Sequence, residues 1–213
     1  MADITFLQAT VGAQTGLTDG NSVAVRLNRQ NGLYTAEASA SLQEAALRGR
    51  AFGVANQAGV TSQAGLSAST PVLTLYNPLS SGVNGVLWYA SANCTVAPAT
   101  VGLIWLAANT NTAAAAVTGT LTTAHRNLLL GASNNPAIIP YLAATLPAAP
   151  VALCQLGVNY TGAVTTAPVV GSVERWINGA IILKPGTAVS IQTGVASGAS
   201  GLFCEFLWEE IAV

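Results

Sequence analysis

From Thr70 to the C-terminus the chain is a series of short apolar or alternating runs, each stopped by a cluster of Asn, Gly, Pro or Ser. That rhythm is the signature of antiparallel sheet. Pro71–Tyr76 alternates and stops at Asn77-Pro78. Val86–Ala90 and Leu103–Ala107 are continuous apolar runs, the pattern of a strand buried on both faces. Leu128–Leu130, Ile138–Leu142 and Val151–Val158 are weaker strand candidates. Glu174–Ile177 and Ala180–Leu183 flank Asn178-Gly179, a strong hairpin dipeptide. Thr187–Thr193 puts Val189 and Ile191 on one face and Ser190 and Gln192 on the other. In the last strand, Leu202–Ile211, Cys204, Phe206 and Trp208 share a face, with Glu205 and Glu209 opposite. About eight such strands with almost no helix predict an all-β fold. The expected form is an antiparallel β-sandwich of the jelly-roll type over residues 68–213. Trp88, Trp105, Phe206 and Trp208 are its expected core or oligomer anchors, as is Trp176, although one tryptophan could instead stack on a sugar.

Residues 1–67 read differently, as an extended N-terminal arm. Asp3, Asp19, Arg26, Arg29, Glu37, Glu44, Arg48 and Arg50 crowd into it, and Asn31-Gly32 could close a hairpin. Its one helix signal is near 42–48. Ser41 and Glu44 have capping-box spacing, Glu44 and Arg48 are an i,i+4 pair, and Gly49 suits the C′ position. Two turns are too short to stand alone, so this helix must dock on its own domain or on a neighbour. Residues 56–69, rich in Gly, Ala, Ser, Thr and Gln, read as an extended connector.

Charge narrows the function. Only 7% of the 213 residues are charged, against about 25% in an ordinary soluble domain, and the net charge is −1. No charged residue or histidine lies between Phe52 and Ala124, and no charge between Asn127 and Val173. Such a surface is either covered by Thr, Ser, Asn and Gln on a monomer or buried against other chains, and the second reading predicts an obligate oligomer. The balance speaks against nucleic-acid binding, and no run of 18 apolar residues proposes a membrane helix. The first residues, with Asp3 and no basic segment, do not read as a signal peptide, which predicts synthesis in a reducing cytoplasm. Cys94, Cys154 and Cys204 then read as small buried hydrophobes, with no metal and no cofactor expected.

Catalytic sets are missing. His125, the one histidine, sits beside Arg126, and no G-x-S-x-G elbow supplies a nucleophile. Of Glu174, Glu205, Glu209 and Glu210, the same-face pair Glu205 and Glu209 lies about 13 Å apart along a strand, too far for a glycosidase pair. These acids read as solvated edge charges or as partners of Arg175.

Several phrases carry a resemblance. The run Glu44-Ala45-Ala46-Leu47-Arg48-Gly49-Arg50-Ala51-Phe52, then Ala55-Asn56-Gln57-Ala58-Gly59-Val60 and Leu73-Thr74-Leu75-Tyr76-Asn77-Pro78, resembles virion proteins of tailed bacteriophages. The segments Leu183–Ile191 and Phe203–Glu210 are similar to the closing strands of viral jelly rolls. The resemblance implies a capsid decoration, or cement, protein, not an enzyme. Such a protein has a jelly-roll body, is often a homotrimer, and sits outside the head on the major capsid protein. Arg26, Arg29, Glu44, Arg48 and Arg50 are then the candidate capsid contacts, unless the arm completes the body or swaps onto a neighbour. The alternative is a head-fibre or tail receptor-binding jelly roll that recognises surface glycans.

Overall fold

The computed structural model describes residues 41–96, 98, 100–110, 117–159, 172–196 and 201–213. Arg26, Arg29 and the Asn31-Gly32 hairpin lie outside the described residues. In chain order the elements are α1 (Ser41–Leu47), β1 (Ala51–Ala55), β2 (Leu73–Asn77), β3 (Val83–Cys94), β4 (Gly102–Asn109), β5 (Thr118–Leu121) and β6 (Arg126–Asn127). There follow β7 (Ile139–Thr145), β8 (Val151–Asn159), β9 (Ser172–Leu183), β10 (Thr187–Thr193) and β11 (Leu202–Ala212).

The chain doubles back on itself. β4 pairs antiparallel with β8, β3 with β9, β2 with β10 and β1 with β11, each pair nested outside the last. This long hairpin is then rolled so that β11 also pairs with β3 and β10 with β4. Two sheets result, in the orders β6-β1-β11-β3-β9 and β5-β7-β2-β10-β4-β8. Among the eight nested strands, every connection except β4 to β8 crosses from one sheet to the other. That is the winding of a jelly-roll sandwich. β5, β6 and β7 are additions, inserted between β4 and β8.

Apolar side chains from both sheets meet between them. Phe206 and Trp208 of β11 are fully buried, with Leu73, Leu75, Leu87, Ile104, Leu106 and Ile191 around them. Phe52 stacks on Trp208 with ring centroids 5.8 Å apart. A smaller cluster of Tyr76, Val117, Ala144, Leu146 and Ala188 is joined by Ala68 and Tyr141.

Residues 41–67 belong to the body, not to an arm ending at 67. One compact unit runs from Ser41 to Val213. β1 pairs along its whole length with β11, and its Phe52 and Val54 join Phe206 and Trp208 in the core. α1 closes as its sequence predicts. Gly49 takes φ +68°, its N–H donates to Ala46 O and that of Arg50 to Ala45 O, a Schellman ending. The connector is strapped down by bridges from Val60 to Leu202, from Ala64 and Gly65 to Thr193, and from Ser69 to Thr145.

That strap roofs the polar face of β10. Ser190 and Gln192 are as buried as Val189 and Ile191. The Gln192 amide both donates to Ser67 O and accepts from Ser67 N–H, so the connector supplies the partners that water would otherwise provide.

Asn178-Gly179 does not make a hairpin either. Both residues take positive φ, as a tight turn requires, but β9 continues on the same neighbour. Trp176 opposes Tyr89 and Ile181 opposes Leu87, so the excursion is a bulge that tucks Ile177 into the core. Leu128–Leu130 is likewise no strand: β6 stops at Asn127, whose side-chain carbonyl accepts the N–H of Leu129 and starts a turn.

Trp88 is the unopposed residue of a bulge in β3 and, with Trp105 of β4, is only half-buried. Replacing Trp208 or Phe206 by Ala should therefore cost about 3–5 kcal/mol, and Trp105→Ala clearly less, read from denaturant midpoints. Equal losses at all three positions would contradict this core.

Cys94 and Cys204 lie in the core and Cys154 is half-buried. Burial, and then the neighbouring Cys94, pushes the Cys204 thiol up. A thiol reagent at neutral pH should label Cys154 first and reach Cys94 and Cys204 only in denaturant. Rapid native labelling of Cys204 would place β11 outside the core.

Candidate functional site

The insertion between β4 and β8 makes a concavity. β6 extends the edge of one sheet beyond β1, while β7 and β5 extend the other beyond β2. Leu121 of β5, Arg126 and Asn127 of β6, and Ile139, Pro140 and Tyr141 of β7 line one cleft of about 560 Å³ at this side of the sandwich. That volume is of the size that takes a small organic ligand.

The cleft is held rigidly from below. Glu210 has its carboxylate in the loop that forms the floor: Oε2 accepts from Ala137 N–H at 3.0 Å and Oε1 from Ile138 N–H at 2.9 Å. The indole N–H of Trp208 donates to the same Oε1 at 3.3 Å. Asn127 and Asn134 both donate to Gly49 O, at 2.8 and 2.6 Å, and Asn127 donates to Asn134 Oδ1. The turn after α1 and the cleft wall are therefore one piece.

Glu209, next to Glu210 but on the other face, pairs with Arg50 at 3.2 Å. Neither acid is a solvated edge charge, and the partner is Arg50, not Arg175. Arg175 instead donates to Gln155 O. Period 2 already places Glu210 with Trp208, so its inward position was legible; its partners, on a loop some seventy residues away in the chain, were not.

His125 and Arg126 stand on the cleft wall. Thr122 O lies 3.1 Å from His125 Nδ1 and accepts its proton in a hydrogen bond. Arg126 Nη1 donates to Thr123 O and to His125 O, at 2.8 and 2.7 Å. No carboxylate, serine or cysteine lines the cleft among the described residues; its side-chain hydroxyls are those of Thr123 and Tyr141. The wall offers a cation, amide groups and the ring of Tyr141. Among the described residues no group of three or more His, Cys, Asp or Glu side chains could hold a metal ion.

Of the residues expected to touch a capsid, Glu44 and Arg48 pair with each other at 2.7 Å on the exposed side of α1. Arg50 is turned to Glu209, and Arg26 and Arg29 lie outside the described residues. Glu44 and Arg48 are thus paired with each other and Arg50 with Glu209.

A second surface was not singled out from the sequence. Trp176 of β9 is 56% exposed. Its ring packs on Tyr89 of β3, centroids 5.0 Å apart and tilted by 56°. Tyr89 donates its hydroxyl to Glu174 Oε2 at 2.8 Å. Burial first, and then that bond, pushes the Tyr89 phenol up, so it stays a donor at neutral pH. Ser91 stands between Glu174 and Glu205, cross-strand partner to both.

Comparison of the chain with protein-family models, curated proteins and solved structures finds no match.

Glu210→Ala should destabilise the protein by about 2–3 kcal/mol, since it leaves two backbone N–H groups and an indole without an acceptor. Amide exchange at Ala137 and Ile138 should accelerate with it. Unchanged exchange there would mean that the carboxylate does not hold the cleft floor.

Proposed function

We propose that this chain is a structural virion protein, a jelly-roll subunit that self-associates as a closed homotrimer and binds the outside of a bacteriophage capsid. There it cements neighbouring subunits of the major capsid protein. The observation that carries the reading is the edge strand β8. Among the described residues its one strand neighbour is β4; it leaves Val151 and Leu153 exposed and bears no charge of its own, the one cation on it being Arg175 of β9 at Gln155 O. Proteins that live as monomers guard such an edge with charge or proline, so β8 is the natural seam for a second copy. The uncharged stretches and the resemblance to tailed-phage virion proteins support the same reading. Cementing works by mass action: area buried at subunit junctions is lost when the shell opens, so bound copies oppose opening.

Arg26 and Arg29 precede in sequence the compact unit that begins at Ser41. They are the proposed means of orienting on acidic capsid surface.

Light scattering at micromolar concentration should give about 64 kDa for a trimer of the 21.4 kDa chain. Leu153→Lys should shift it toward monomer without unfolding it. Wild-type protein should co-sediment with capsids lacking it and raise their resistance to heat, and a chain lacking residues 1–40 should remain folded and lose that binding. A monomeric wild type, or one that ignores capsids, overturns the proposal.

A further inference from the structure

The exposed aromatic surface of the five-stranded sheet has a chemistry that capsid cementing does not use. Trp176 presents an apolar ring to solvent where an ordinary surface would bury or replace it. The ring is braced by Tyr89, and Tyr89 is itself fixed by Glu174. Across the same face, one rank further along the strands, the order is Glu174, Ser91, Glu205. Ser91 Oγ donates toward Glu205 Oε2 at 3.5 Å, a long contact. Each carboxylate keeps an oxygen, Oε1, for which none of these contacts accounts. Arg175, the nearest cation in sequence, turns away to Gln155 O on β8.

From this juxtaposition, an exposed indole rimmed by acceptor-only groups, we propose that the surface binds a neutral pyranose unit of a glycan. One apolar face of the sugar would lie on Trp176, and its hydroxyls would donate to Glu174 and, beyond Ser91, to Glu205. A pyranose offers what the surface lacks: polarised C–H groups for a π face and hydroxyl donors for carboxylates. Two carboxylates with no cation between them repel sialic and uronic acids, so the ligand carries no charge. An ammonium or guanidinium group would suit the carboxylates but would be better held by several aromatic walls, and here a single indole is open. The inference goes beyond the cementing role and does not rest on it.

The test titrates the full-length protein with methyl glycosides of glucose, galactose and mannose, following tryptophan fluorescence and saturation-transfer NMR. Sialyllactose and choline serve as charged comparators. At least one neutral glycoside should bind saturably. Trp176→Ala should weaken it at least about tenfold and Glu174→Gln by roughly three- to tenfold, whereas Trp176→Phe keeps most of the binding. Light scattering and capsid co-sedimentation should be unchanged in all three variants, which separates this site from the cementing function. No saturable binding by any neutral glycoside overturns the inference, as does binding of choline alone or undiminished binding by Trp176→Ala. Dissociation of the oligomer by Trp176→Ala also overturns it, because the face would then belong to a second copy of this chain.

Discussion

The ladder between β3 and β11 is the contact on which the rest of the sandwich depends. It runs from Leu202 opposite Cys94 to Ala212 opposite Val83, with one slip, where Trp88 is left unopposed. The slip reconciles two spacings. Phe206 and Trp208 are two apart and both point inward, but their partners Ala90 and Leu87 are three apart and are both buried. Without the bulge, one of the two partners would be turned out of the core. The same ladder distributes chemistry to the surfaces. It sends Ser91 and Glu205 to the outer face, offers Glu209 to Arg50 on the way, and delivers Glu210 to the cleft loop.

Strand positions were largely legible, because burial on a sheet leaves a period-2 or continuous apolar trace that needs no tertiary knowledge. The α1 ending was legible for a similar reason: Gly49 meets a local steric demand. What the sequence hid were the cases in which a local signal is overruled at long range. Asn178-Gly179 has the chemistry of a hairpin turn, but the chain beyond it returns to the same β3 neighbour, so the two positive-φ residues form a bulge. The alternation of Thr187–Thr193 is real, yet its polar face is roofed by Ser67, which lies 125 residues from Gln192 in the chain. The connector residues 56–69 looked like spacer because Gly, Ser and Gln carry no periodicity. Their role is to meet other backbones, as Asn56 does when its amide donates to Leu202 O.

The candidate sites were less legible than the fold. The cleft needs one edge of each sheet, and nothing in the order of Leu121, Arg126 and Tyr141 says that β5, β6 and β7 will face each other across a gap. Trp176 looked like a core anchor because tryptophan in a strand usually is one. Its exposure follows from the alternation of β9: Val173 and Ile177 face the core, and Trp176 lies opposite Tyr89 on the outer face. A scarcity of charge, by contrast, was plain from composition. In the fold it corresponds to two different situations, a roofed face over β10 and an open edge at β8, which composition alone treats as the same.

The pairing of β1 with β11 also sets a timetable for the chain during synthesis. β1 is made early, but its main partner and the bulkiest core side chains, Phe206 and Trp208, arrive in the last dozen residues. At ~5–20 residues per second, the first four strands must wait roughly 5–20 s on the ribosome for the strands that cover them. Throughout that delay the neutral, apolar runs of β2, β3 and β4 stand without their closing partners. In a cell making many copies at once, neighbouring nascent chains could join through those runs. Early occupation of them, by a chaperone or by the connector folding back on its own, would then decide how much of the protein reaches its native form.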